Sequence, residues 1–352
     1  MATQTVITSS SSVILPYSAP IGIFDSGVGG LSVYLHLKQQ LPNEHYLYYA
    51  DTLNVPYGPR SSAEIKALTL IAVEWLVAAG CKLIVIACNS ASAHALPHAR
   101  QKHPHIPIVG LVPALKPAVL NSSSKNVAVL ATKATLDGEL LNTVISDYAL
   151  PANVNVMKWF DPNLVPWVEA GMPLDSETPE RLKCQLKRFA EQRVDHLVLG
   201  CTHYPFFREF VLAEVESENL GIKVVDSGAA IAARVKALLQ QFQSLALNGS
   251  LSSELSNSES LSTELLSTKL INPGPLSTES LNARPTTIEL IDTEFQIPSV
   301  SELYIAHTTQ GTNDFSQVKN IKSKLSFFVS DPKADLAQVT RLVQRLIYRE
   351  SA

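Results

Sequence analysis

From Ile21 to about Gln243 the chain alternates short apolar runs with amphipathic stretches, and this alternation restricts the folds open to it. The apolar runs are Ile21–Phe24, Tyr46–Ala50, Leu83–Ala87, Ile106–Leu111, Val127–Leu130, Val154–Trp159, Leu197–Leu199 and Ile222–Val225. Helical spacing fills most of the gaps, as in Leu31–Leu41, Ala63–Ala79, Arg181–Gln192 and Ile231–Phe242. A strand apolar on both faces is buried on both faces, so the pattern predicts an α/β fold with mainly parallel sheets covered by helices. In such folds ligands bind beyond the carboxyl ends of the strands, and the residues just after each strand are the ones to inspect.

The chain also echoes itself. Ile23-Phe24-Asp25-Ser26-Gly27 resembles Val224-Val225-Asp226-Ser227-Gly228, and two strands end in a cysteine followed by small polar residues. One reads Val85-Ile86-Ala87-Cys88-Asn89-Ser90 and the other Val198-Leu199-Gly200-Cys201-Thr202-His203. The echo predicts two related α/β halves facing each other across a cleft. Of the four cysteines, Cys81 and Cys184 lack this setting and are read as structural. No Cys-x-x-Cys pair suggests zinc or disulfide exchange. A thiol at a helix start lies near backbone N–H groups and a positive dipole end, which predicts a lowered pKa for Cys88 and Cys201.

Asp25 stands at the end of the first strand in Asp25-Ser26-Gly27-Val28-Gly29-Gly30, where a carboxylate can accept a proton or orient a base. Neither phosphate-loop spacing is present. His203 lies two residues after Cys201 and suits proton relay. His94 and His98 are spaced for a shared metal on a helix, but Pro97 is expected to interrupt that helix. No metal is expected, and no cofactor: neither a phosphate cup nor a Schiff-base lysine stands out. Two thiols, one deprotonated and one protonated, could remove an amino-acid α-proton from one face and return it on the other, with coupled titrations.

Of 352 residues, 46% are hydrophobic and 17% charged, with a net charge of -4, which disfavours a nucleic-acid binder. No apolar run is long enough to cross a membrane. Residues 1–19 are Ser- and Thr-rich with no Lys or Arg, so a secretory signal is not indicated and a cytoplasmic location is expected. From about 244 the chain becomes rich in Ser and Leu and repeats Leu-Ser-Thr units, which reads as a low-complexity insert. Regular pattern resumes as a strand near Leu325–Asp331 and a helix over about 334–347.

Four blocks in this order resemble bacterial glutamate racemases: Ile21–Leu31, Asp51–Arg60, Ala87–Ser92 and Leu199–Pro205. The resemblance implies two α/β domains with the active site in the cleft between them. The first would comprise 20–109, 224–243 and 324–352, the second 110–223, with 1–19 an extension and 244–323 an insert. It implies that Cys88 and Cys201 are the proton-transfer thiols, Asp25 the acidic partner of the first, and His203 with Glu169 the partners of the second. Substrate-binding positions carry over to Asp25, Ser26, Tyr57, Gly58, Asn89, Ser90, Thr202 and His203. Glutamate is the implied substrate, peptidoglycan the destination of D-glutamate, and a homodimer the implied assembly. Some members use an N-terminal extension to bind a cell-wall precursor as activator, with which residues 1–19 are compatible. Ser90 stands where the family usually has Thr, and Gly138 and Leu141 replace a usual Ser and Tyr. An aspartate racemase of the same superfamily, or an inactive amino-acid-binding relative, are the alternatives.

Overall fold

A computed structural model describes residues 19–241, 303–308 and 324–348. The Ser- and Thr-rich start and most of the Ser/Leu-rich region lie outside the described residues. The described residues all belong to one unit of the chain.

Ten strands are found among the described residues: β1 (Ile21–Asp25), β2 (Tyr46–Ala50), β3 (Leu83–Ile86), β4 (Ile108–Gly110), β5 (Asn126–Leu130), β6 (Asn155–Trp159), β7 (His196–Leu199), β8 (Lys223–Val225), β9 (Leu303–His307) and β10 (Leu325–Val329). They form two sheets, ordered β4-β3-β1-β2-β10-β9 and β6-β5-β7-β8. Every pairing is parallel, as in Ile23 opposite Val85 and Tyr48, and Val129 opposite Val198 and Lys158. β1, β2, β3 and β10 are buried along their whole length, which explains their unbroken apolar runs.

Two expected boundaries move. Val224 and Val225 pair with Leu197 and Val198 in the second sheet, so the chain returns to the first half only with the helix Gly228–Gln241, which packs on the helix Leu31–Gln40. Leu303-Tyr-Ile-Ala-His307 falls in the stretch read as low complexity, yet it pairs parallel with Leu325–Val329 as the edge strand of the first sheet. Its β-branched and aromatic residues suit a strand, and the Ser/Leu bias upstream masked them.

The helices follow local chemistry. Ser61 and Glu64 form a reciprocal capping box at the start of Ser62–Ala78. The helix Asn89–Lys102 runs through Pro97 without the expected interruption, since one missing N–H removes a single bond from a helix held by its buried face. Packed cores flank both faces of each sheet. Among the described residues no helix is long and apolar enough to cross a membrane.

Candidate active site

The carboxyl ends of β1, β3, β5 and β7 converge on one cavity of about 560 Å³, its mouth included. Its wall contains Ser26, Tyr57, Gly58, Cys88, Asn89, Ser90, Cys201, Thr202 and His203, so both thiols and most expected substrate contacts come together. Asp25 and Glu169 stand behind this wall and act on it through hydrogen bonds.

The two thiols are held differently. Cys88 caps the helix Asn89–Lys102, and its Sγ accepts from the Ala91 amide at 3.5 Å and lies 3.7 Å from Ser26 Oγ. Cys201 is followed by a 3₁₀ turn, Tyr204–Phe207, before the helix Arg208–Ser217 begins, so it caps no regular helix. Its Sγ lies 3.7 Å from His203 Nδ1 instead, and His203 Nε2 is 2.7 Å from Glu169 Oε1.

The expected lowering of the Cys88 pKa does not occur. Burial pushes this thiol up to about 12, the nearby Asp25 charge adds to the effect, and the Ala91 amide and Ser26 hydroxyl offset only part of it. A cysteine 4% exposed loses more hydration than one helix-end amide restores. Asp25 is fully buried, and burial raises its carboxyl above the ordinary range despite opposition from His203 and from its hydrogen bonds. Those bonds come from the Gly27 amide at 2.8 Å and the Thr202 hydroxyl at 3.1 Å. The echoed Asp226 makes the same turn, accepting from the Gly228 amide at 2.9 Å. Burial opposes the charged form of His203, but its bonds to Cys201 and Glu169 prevail and raise its pKa well above the usual imidazole value. The relay therefore favours an imidazolium between sulfur and carboxylate.

The glycines after Asp25 serve this contact between the halves. A β-carbon on Gly27 would fall 2.2 Å from Glu169 Oε1, and one on Gly29 2.3 Å from His203 Nδ1. Glu169 Oε1 also accepts from the Val28 amide at 3.0 Å, and Ser32 Oγ donates to the Thr202 carbonyl at 2.7 Å. The glycine-rich segment is thus a seat for side chains of the second half, as its lack of phosphate-loop spacing allowed.

On the far wall Ser90 Oγ lies 2.8 Å from Thr132 Oγ1, which is 3.0 Å from Thr135 Oγ1. Thr132 lines the cavity and went unnoticed in the sequence, although its place just after β5 obeys the same end-of-strand rule that exposed the cysteines. Gly138 lets its segment approach the helix Asn89–Lys102, since a β-carbon there would meet Ala93 Cβ at 2.6 Å, and Leu141 is buried in the core. Asn89 Oδ1 is buried with no hydrogen-bond partner among the described residues. His94 is engaged with the Ala134 carbonyl at 3.0 Å.

A family model described as Asp/Glu/hydantoin racemase matches residues 21–235. The chain belongs to this family and is an isomerase. Curated relatives at 37–48% identity are glutamate racemases. That of Deinococcus radiodurans is 48% identical over 242 residues, 68% of this chain and 82% of the relative. The crystal structure of Escherichia coli glutamate racemase with L-glutamate and the activator UDP-MurNAc-Ala superposes with a TM-score of 0.57 at 35% identity, covering 63% of this chain and 83% of that one. The Francisella tularensis enzyme in complex with D-glutamate gives 0.57 at 28% identity, covering 66% and 85%.

Proposed function

We propose that this chain interconverts L- and D-glutamate without a cofactor, Cys88 and Cys201 exchanging a proton with opposite faces of the α-carbon. The observation that carries this reading is that both sulfurs line one cavity, each in a different electrostatic setting. Burial and Asp25 keep Cys88 a thiol, ready to donate. Cys201 instead lies beside His203, whose raised pKa favours the imidazolium, and this sulfur is the one we assign to accept. In one direction Cys201 takes the α-proton while Cys88 delivers its own to the other face. In the reverse direction the roles exchange, with His203, held by Glu169, beside the second sulfur throughout.

The same cavity suits a substrate with two carboxylates and an ammonium. The hydroxyls of Ser90, Thr132 and Thr202 can donate to carboxylate oxygens, and the unpartnered Asn89 Oδ1 can accept from the ammonium. The complexes of the Escherichia coli and Francisella relatives with L- and D-glutamate support this choice. We further propose that the product feeds peptidoglycan synthesis in the cytoplasm and that the enzyme works as a homodimer. A cell-wall precursor is proposed to activate it, by analogy with UDP-MurNAc-Ala, the activator bound to the Escherichia coli enzyme.

The test is incubation of purified protein with L-glutamate, and separately L-aspartate, in heavy water. Racemisation of glutamate with α-deuteration is expected. Turnover of aspartate alone would transfer the chemistry to another substrate, and inertness toward both would refute the reading.

A further inference from the structure

The cavity wall formed by Tyr57 and Gly58 belongs to a loop that leaves β2 at Asp51, and an unsupported loop would have to be ordered each time substrate binds. Asp51 is 4% exposed and does not line the cavity. Its Oδ2 accepts from Tyr57 Oη at 2.6 Å. Its Oδ1 accepts from Asn54 Nδ2 at 3.0 Å and from Ser330 Oγ at 2.6 Å. Ser330 directly follows β10, at the far end of the sequence. The same hydroxyl accepts from the Leu53 amide at 3.0 Å, and the Asp331 amide donates to Thr52 Oγ1 at 3.2 Å. The end of β10 therefore grips the loop at Asp51, Thr52 and Leu53, and Asp51 passes that grip to Tyr57. Burial first, then the Asp51 charge, keeps the Tyr57 phenol protonated and able to donate.

We propose that Asp51 and Ser330 are positioning residues for substrate binding, fixing the Tyr57–Gly58 wall from the C-terminal strand without touching the substrate. This rests on the glutamate racemase reading. The two residues act in series, so their effects do not add. Loss of one charge-assisted bond in a preorganised wall raises KM by about tenfold while leaving the thiols in place.

The experiment compares Ser330→Ala, Ser330→Thr, Asp51→Asn and the Ser330→Ala/Asp51→Asn double variant, with KM and kcat measured for both enantiomers. Ser330→Ala is expected to raise KM about tenfold with kcat within about threefold. Ser330→Thr, which restores the hydroxyl, is expected to return KM to within about twofold, and the double variant to match Asp51→Asn. Amide hydrogen exchange over residues 51–58 of the substrate-free protein reads the anchor directly, and Ser330→Ala is expected to speed it about tenfold. Unchanged exchange, or equal loss of kcat and kcat/KM with no change in KM, overturns the positioning role. A wild-type protein inert toward glutamate overturns the functional reading instead, and exchange then decides the anchor by itself.

Discussion

Gly29→Ala tests how closely the two halves must meet. Gly29 does not adopt the left-handed backbone region, so alanine is tolerated there by the main chain and its cost comes from packing alone. The new β-carbon would fall 2.3 Å from Nδ1, 2.5 Å from Cε1 and 2.8 Å from Cγ of His203. Ordinary contact begins at 3.4 Å, so the ring must retreat by about 1 Å. It cannot swing freely, because Nε2 is fixed to Glu169 and Nδ1 faces Cys201. A displacement of ~1 Å in a group that must align with a reacting centre costs about 10²-fold in rate. Overpacking of a buried site costs roughly 1–3 kcal/mol of stability. The expected outcome is a folded protein with a modestly lowered melting temperature and kcat reduced about 100-fold in both directions, followed by the change in optical activity of glutamate. A variant within about threefold of wild type would show that the His203 position does not govern turnover.

Glu169→Gln removes the anion beside His203 and lowers the histidine pKa. Because the folded value is raised, the ion pair stabilises fully below about pH 6.5 and its contribution fades as pH rises through the folded value. The alkaline limb of kcat/KM is expected to move to lower pH in the variant, and the stability gap from wild type to close at alkaline pH; an unmoved limb would remove Glu169 from the relay. Outside the cavity wall, Lys82 and Glu44 form a buried ion pair at 2.5 Å, with side chains 0% and 3% exposed. Lys82→Met leaves a buried carboxylate without its cation and is expected to cost about 3–5 kcal/mol in urea unfolding, most of it recovered by also replacing Glu44 with Leu. A cost below about 1 kcal/mol would mean that water reaches the pair.

The parallel sheets were legible because strands buried on both faces have no polar alternation, and the cysteines were legible because each ends such a strand. Local signals failed where long-range packing decides. Cys88 looked activated by its helix, but only the folded protein reveals burial beside Asp25, and that burial sets the sign of the shift. Thr132 was visible in principle as an end-of-strand residue. Ser330 was not, since its partner Asp51 is 279 positions away and nothing in the intervening chain announces the pairing. The strand Leu303–His307 was hidden by the composition of its neighbours, and its role appears only when Leu325–Val329 lies beside it. The need for glycine at position 29 likewise depends on a histidine from the other half.

If one sulfur serves each face of the α-carbon, single-thiol variants in heavy water must show it. Cys88→Ser and Cys201→Ser are each incubated with L-glutamate and with D-glutamate, and both α-deuteration and handedness are measured. Each variant should lose racemisation while still washing the α-hydrogen out of one enantiomer with retention, and the two should prefer opposite enantiomers. If either variant still inverts glutamate at near the wild-type rate, or if both act on the same enantiomer, the two-sided arrangement is wrong.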